Sequence, residues 1–180
     1  MKKIKLTFVL VFLFTICAKA QENKGFEFGF QLSEYQQDFG YGISITSPYV
    51  LKEYVAFRLR ANQQFFSTFN NQGKVEWSPY QNFALGVLGQ RSMIHEKIAL
   101  YGEGGVFGIL PNSDFSKQDF EIGGYGLFGF EFFFDKNFTY YIEAGGIGID
   151  ATADELPSEP IYSNGFLINV GFRIILNQNN

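Results

Sequence analysis

The sequence predicts an all-β fold, an eight-stranded antiparallel up-and-down transmembrane β-barrel. Three observations predict it. Apolar residues recur with a period of two in eight separate segments, the joins between those segments alternate between short and long, and small residues dominate the second face. A period of two is typical of a strand with one apolar face. After residue 20 no stretch has the pattern of a long apolar helix, so strands would have to cross the membrane.

Residues 1–20 have the features of a cleaved signal peptide. Three lysines precede an apolar run over residues 6–16, and an Ala-Lys-Ala sequence at residues 18–20 provides small residues at the two positions that a signal peptidase reads. Cleavage would leave Gln21 at the N-terminus, and residues 21–180 would form one barrel domain. The apolar run is too short to cross about 30 Å of hydrocarbon as a helix, which argues against an uncleaved anchor.

The charge and the cysteine content of the exported part narrow the function classes. Cleavage removes four of the 14 basic residues and none of the 18 acidic ones, which leaves a formal net charge of −8. Such an acidic chain is a poor partner for nucleic acid. The only cysteine, Cys17, lies in the signal peptide, so the exported domain would have neither disulfides nor thiolate chemistry.

Eight segments alternate over lengths that cross a bilayer when strands are tilted. They are residues 26–31, 39–46, 55–60, 82–87, 98–103, 128–132, 138–145 and 166–174. The short joins are residues 48–53, 91–97 and 135–137, and the long joins are residues 63–79, 110–119 and 151–163, while the first join, residues 33–38, is short for its class. In barrels of the bacterial outer membrane the short turns face the periplasm and the loops face outside, so both mature termini are predicted to be periplasmic.

The two faces of these segments separate a membrane barrel from a soluble one. The polar face of a soluble barrel meets water and carries many charges, but here no segment contains a lysine and small residues fill that face. The apolar face carries no charge, and a Lys or Arg at mid-depth in lipid would cost about 2–4 kcal/mol. The alternation predicts lipid-facing Phe28, Ile142 and Ile168, and inward-facing neighbours Gly29, Glu143 and Asn169.

Aromatic residues cluster near both ends of the predicted strands, which is typical of the girdles at membrane interfaces. One group surrounds the predicted turns, and the other lies at the far end of the third and fourth segments. The first comprises Tyr49, Tyr54, Phe132, Phe133, Phe134, Phe138 and Tyr140, and the second comprises Phe65, Phe66, Phe69, Trp77 and Tyr80.

Seven charged residues fall on the predicted inward face. They are Glu27, Arg58, Arg60, Glu103, Glu131, Glu143 and Arg173. Buried charges must either pair with one another or sit in water. Pairing predicts a salt-bridged plug that blocks conduction, whereas hydration predicts a narrow channel, and we favour the plug. Because the last strand closes against the first, Arg173 and Glu27 are the expected partners.

Other candidates for chemistry are weak. The only histidine, His95, falls in a predicted periplasmic turn, and no serine lies in a recognisable nucleophile turn, so no catalytic set is expected. Asp150, Asp154, Glu155 and Glu159 offer oxygen ligands, but their spacing matches no known calcium loop. We therefore expect no enzyme activity, no metal site and no cofactor.

The signal peptide, the eight alternating segments and the final amphipathic strand resemble the bacterial outer-membrane β-barrel domain family, the small OmpA/OmpX-like barrels. The resemblance covers residues 21–180, although the sequence ends Leu-Asn-Gln-Asn-Asn at residues 176–180, where family members often end on an aromatic. It implies location in the bacterial outer membrane, contact with lipid and lipopolysaccharide, and a structural or surface-interaction role. The loops would then contact a surface ligand or an envelope protein. The alternatives are an accessory subunit of an export or assembly complex, and a narrow channel.

Overall fold

The computed structural model describes residues 25–36, 38–69, 74–156 and 159–176, and the predicted signal peptide lies outside them. The strands are β1 Glu27–Tyr35, β2 Asp38–Thr46, β3 Val55–Phe69, β4 Val75–Gly89, β5 Ser92–His95, β6 Ile98–Leu110, β7 Glu121–Phe133, β8 Phe138–Gly148 and β9 Gly165–Ile175. Within the described part of the chain, no helix is long and apolar enough to cross a membrane.

Eight of the strands close into an antiparallel barrel. The sheet order β4-β3-β2-β1-β9-β8-β7-β6 returns to its start because β4 also pairs with β6. β1 pairs with β9 along its whole length, from Glu27–Ile175 to Tyr35–Leu167. Closure leaves these strands without an open edge, as hydrocarbon requires. The predicted fold class is confirmed. We call the end that holds Glu27 and Ile175 the terminal end, and the opposite end the loop end.

The β3–β4 hairpin is longer than predicted. β3 and β4 have 15 residues each, so most of the loop predicted at residues 63–79 is strand, and that prediction was wrong. The pairing of β4 with β6 stops at Gln81–Leu110, whereas β4 begins at Val75, so the hairpin rises past the rim of the barrel. Both faces of β3 carry a mixture of polar and aromatic residues over 63–69, so an apolar alternation does not show that the strand continues there.

The turn predicted at residues 91–97 contains the short strand β5 and a β-bulge. Leu88 pairs with Glu103 and Ser92 pairs with Leu100. The three residues 89–91 between these pairs therefore lie opposite two residues of β6, 101 and 102. A bulge of this kind reverses the alternation of inward and outward side chains that follows it. As a result, Arg91 points into the barrel and not towards lipid, where its position in a regular strand would place it.

The outward-facing side chains form an apolar belt around the wall. It includes Phe28, Ile43, Leu59, Leu85, Val106, Phe128, Ile142 and Phe166, all of which are exposed. Soluble monomers rarely expose a continuous apolar surface of this size, so the belt indicates contact with lipid. Gly29, Glu143 and Asn169 are buried as predicted, and Ile168 on the outer face is half-buried against its neighbours.

Three of the predicted girdle aromatics lie inside the barrel. Phe66 and Tyr80 are buried at the loop end, and Tyr49 is buried at the terminal end, where the guanidinium carbon of Arg91 lies 5.1 Å from the centre of its ring. Phe66 is two residues after the inward-facing Gln64 in β3, so its side chain also points inward. The prediction from clustering in the sequence did not take this alternation into account. Trp77 is exposed on the outer face, as a girdle residue would be.

Candidate functional site

The interior of the barrel holds all seven charged residues that the alternation placed there. Glu27, Arg58, Arg60, Glu103, Glu131, Glu143 and Arg173 are each at most 6% exposed. They come from six strands, because a closed barrel points one face of every strand at the same axis. Arg91 joins them from the bulge after β4. With Arg91, the arginine–glutamate network has four arginines and four glutamates and is formally neutral, whereas the seven residues seen in the sequence leave one negative charge unbalanced.

The ion pairs at the terminal end differ from the expected one. Arg91 Nη2 donates to both carboxylate oxygens of Glu27, at 2.6 and 2.8 Å. Arg173 instead reaches Glu131 with Nη1 at 3.0 Å and Glu143 with Nη2 at 2.9 Å. The expected Arg173–Glu27 pair was therefore wrong. In the register of β1 and β9, Arg173 lies opposite Gly29, and its long side chain extends away from β1, to the neighbouring strand β8 and to β7 beyond it.

The central pairs connect β3 with β6, the second strand along the wall, and with β8 on the opposite side of the barrel. Arg58 Nη1 on β3 lies 2.6 Å from Glu103 Oε2 on β6 and 2.9 Å from Glu143 Oε1 on β8. Arg60 Nη2 makes the same two connections, at 2.8 and 3.0 Å. Glu143 thus contacts three arginines, and its carboxylate is the centre of the network. Charge-assisted hydrogen bonds of this length are among the strongest that proteins make.

Three tyrosines fill the space between the ion pairs. Tyr101 donates its hydroxyl hydrogen to Glu143 at 2.5 Å, and Tyr125 donates to Glu103 at 2.6 Å. The guanidinium carbon of Arg173 lies 3.9 Å from the centre of the Tyr141 ring, which adds a cation–π contact. Gly171 makes room for that ring, since a Cβ at this position would lie 2.7 Å from Tyr141 Cζ.

An aromatic cluster closes the loop end, and the sequence did not reveal it. We call Phe66, Tyr80, Phe115 and Tyr162 the aromatic cap; each is at most 2% exposed. Phe115 comes from the β6–β7 loop and Tyr162 from the β8–β9 loop, and their ring centres are 5.0 Å apart. Phe66 lies 5.5 Å from Phe115 and 5.6 Å from Tyr162. Both loops therefore fold inward over the mouth of the barrel.

Hydrogen bonds fasten the cap to the wall. Asp38 Oδ2 accepts the Tyr80 hydroxyl at 2.6 Å and the Ser163 backbone N–H at 2.8 Å. The hydroxyls of Tyr80 and Ser163 also contact each other. Burial raises the pKa of Tyr162, so the closed cap keeps this phenol neutral.

The two loops are also tied to each other at the surface. The backbone N–H of Lys117 donates to Asp154 Oδ1 at 2.8 Å, and its ammonium lies 3.2 Å from Glu155. Two residues of the acidic segment 150–159, Asp154 and Glu155, therefore connect the loops. Among the described residues, no group of three or more side chains could hold a metal ion. His95 lies exposed in β5, outside the lumen.

The comparisons with known proteins concern the fold alone. No family model and no curated protein matches the chain. The N-terminal β-barrel domain of OprF from Pseudomonas aeruginosa is similar, with a TM-score of 0.59 and 12% identity, over 86% of this chain and 100% of that chain. The outer membrane protein OprG from Pseudomonas aeruginosa has a TM-score of 0.56 and 12% identity, over 87% and 98%. The chain has the fold of the small OmpA/OmpX-like barrels of bacterial outer membranes.

Proposed function

We propose that the chain is a non-conducting barrel of the outer membrane with a structural or surface-interaction role. One observation carries the proposal: side chains fill the lumen from end to end. Arginine–glutamate pairs occupy its centre and its terminal end, and the aromatic cap closes its loop end. A barrel filled in this way anchors its loops rigidly at the cell surface and leaves no continuous path for solutes.

The proposed orientation follows from the joins. Both described chain ends lie at the terminal end, and the two longest joins, residues 111–120 and 149–164, lie at the loop end, where they form the cap, although the short join of residues 36–37 lies there too. In outer-membrane barrels the short turns are periplasmic and the longer loops extracellular. We therefore propose that both termini face the periplasm, and that the loop end offers the contact surface to a ligand, to lipopolysaccharide or to another envelope protein.

A second role, as an accessory subunit of an export or assembly complex, is favoured by the turns at the terminal end. Leu51, Met93, Ile94 and Phe134 are all exposed there. Exposed apolar residues at a rim are suited to a neighbouring protein. Photo-crosslinkers at residues 51 and 94 in intact cells would give a defined adduct with one envelope protein in this case, and lipid adducts alone otherwise.

Conductance in planar bilayers tests the filled lumen. We expect the wild type to insert without steady conductance. Steady large currents that depend on the protein would contradict the proposal and favour the narrow channel.

Cell fractionation tests the proposed location. We expect the chain in the outer membrane, with faster migration on gels before heating than after, because a closed barrel resists cold detergent. A C-terminal epitope should be accessible to antibody only after the outer membrane is permeabilised. Recovery of the chain in the soluble periplasmic fraction would contradict the location, and an accessible epitope on intact cells would contradict the orientation.

A further inference from the structure

A groove lies on the outer side of the wall at the loop end, where the β3–β4 hairpin rises past the end of β6. We call it the rim groove and define it by Gln63, Gln81, Leu110, Asn112, Ser113 and Gln118. Its volume is about 690 Å³, within the range of roughly 300–1,000 Å³ that is usual for small-molecule sites.

The strands and the β6–β7 loop build the groove from two sides. Gln63 lies directly opposite Gln81 on β3 and β4, and Gln81 lies opposite Leu110 on β6, so the three form an outward-facing row. Gln63 Nε2 donates to the Tyr80 carbonyl at 2.9 Å, which holds this amide in place. The opposite wall is the loop after Leu110, and the bond from Lys117 N to Asp154 fixes it.

The chemistry of the lining selects a neutral, hydroxyl-rich ligand. The amides and hydroxyls of Gln81, Asn112 and Ser113 can donate and accept hydrogen bonds, as the hydroxyls of a sugar do. Lys117 is the only cation among the lining residues, and Glu155 already pairs with it at 3.2 Å, while Asp119 adds another negative charge. A phosphate would therefore meet net repulsion in the groove.

The position of the groove selects a ligand that is also a lipid. Phe83 is the next outward-facing residue below Gln81 on β4, and Leu85 follows it; both are exposed in the apolar belt. A molecule seated on Gln81 would have a polar groove above and a lipid-facing wall directly below.

We propose that the rim groove binds the neutral saccharide headgroup of a glycolipid, whose acyl chains lie along Phe83 and Leu85. This inference rests on the proposed function, because it requires the loop end to face the outer leaflet.

The test uses the mature barrel in lipid nanodiscs and the fluorescence of Trp77, the single tryptophan of the chain. Trp77 lies on the same outward face of β4 as Gln81 and is exposed. Nanodiscs with increasing monoglucosyl diacylglycerol should give a saturable change in its emission, whereas nanodiscs with phosphatidylglycerol should not. Gln81→Ala should weaken binding at least tenfold, and Ser113→Phe, which fills the groove, should do the same.

The matched control is Gln90→Ala, which removes an exposed amide at the terminal end and should bind as the wild type does. Saturable binding of soluble maltotetraose without binding of the glycolipid would overturn the lipid source. Binding of phosphatidylglycerol alone, no saturable binding, or equal binding by Gln81→Ala and the wild type would overturn the saccharide site. Heat-modified migration and bilayer conductance of the same preparations report separately on the proposed function.

Discussion

The two halves of the lumen are filled by different means. The terminal half is ionic, and its charged side chains come from strands whose register the barrel fixes. The loop half is aromatic, and two of its four central rings, Phe115 and Tyr162, come from loops that fold back over the mouth. The ionic half therefore belongs to the wall of the barrel, whereas the two loop rings of the aromatic half can separate from the wall without breaking a strand pair.

The two halves should also differ in energetics. Removal of one partner from a buried ion pair leaves an uncompensated charge, and this is strongly destabilising even where the intact pair adds little. Aromatic packing contributes through buried apolar area and ring contacts, so its loss scales with the size of the side chain and with how far the site can collapse. Single substitutions should therefore affect the whole barrel in the ionic half and the loops alone in the aromatic half.

The largest effect is expected for Glu143→Ala. Glu143 contacts Arg58, Arg60 and Arg173, so its removal leaves three buried guanidinium groups short of a partner. Breaking a buried pair in this way costs about 3–5 kcal/mol. Urea unfolding of the barrel in lipid vesicles measures the change. Glu34→Ala is the control, because that side chain is exposed on the outer face of β1. Equal destabilisation by the two variants would contradict a central role for Glu143.

A smaller and local effect is expected for Phe115→Ala. The side chain is 1% exposed and packs between Phe66 and Tyr162. Truncation should cost about 3 kcal/mol, the low end for buried phenylalanines, because a loop can partly collapse into the space. Limited proteolysis should cut the cap loops faster, while the urea midpoint of the barrel stays the same. Phe120→Ala changes an exposed residue of the same loop and should have neither effect. If Phe115→Ala lowers the urea midpoint of the barrel and also speeds proteolysis of the cap loops, the two halves unfold together.

The third prediction concerns the bulge. Arg91→Ala leaves the Glu27 carboxylate without its donor and removes one of the two arginines that pair with Glu131. An unsatisfied buried acceptor costs about 1–3 kcal/mol. The loss should be smaller than for Glu143 because the side chain of Arg91 is 10% exposed and water can reach the site. The measurement is again urea unfolding. Lys97→Ala removes an exposed positive charge from the same connection and should leave the midpoint unchanged. If both variants lose the same stability, net charge and not the pair is responsible.

Strand periodicity accounts for what the sequence could and could not predict. Glu143 and Asn169 were assigned to the interior because side chains in a closed barrel alternate strictly. Arg91 was missed because a bulge reverses the alternation, although the unbalanced charge of the seven-residue set was a signal that one arginine was missing. The partner of Arg173 was predicted wrongly because the strands on both sides of β9 carry an inward-facing glutamate, and strand order alone does not show which one a long side chain reaches.

The aromatic cap was beyond the reach of the sequence for a different reason. Phe115 and Tyr162 lie in segments without any period, and their positions depend on how two loops fold over a mouth that eight strands form together. Phe66 and Tyr80 do follow the alternation of β3 and β4, but both residues were predicted to lie in the loop between the two strands. Had the full length of the hairpin been predicted, the alternation would have placed both rings in the lumen.

The smallest effect is expected for the pH dependence of the cap. Burial raises the pKa of Tyr162 above that of an exposed tyrosine, which is about 10. Once the pH exceeds about 10, the open cap loses this proton while the closed cap retains it, so the closed state loses stability as the pH rises. Tyr162→Phe should therefore make cap opening less steeply dependent on pH between about 9.5 and 11, with little change at pH 8. Cleavage of the cap loops by an alkaline-active protease measures this, and Tyr54→Phe, an exposed tyrosine at the terminal end, is the control. Identical pH profiles for Tyr162→Phe and the wild type would mean that the phenol reaches water while the cap is closed.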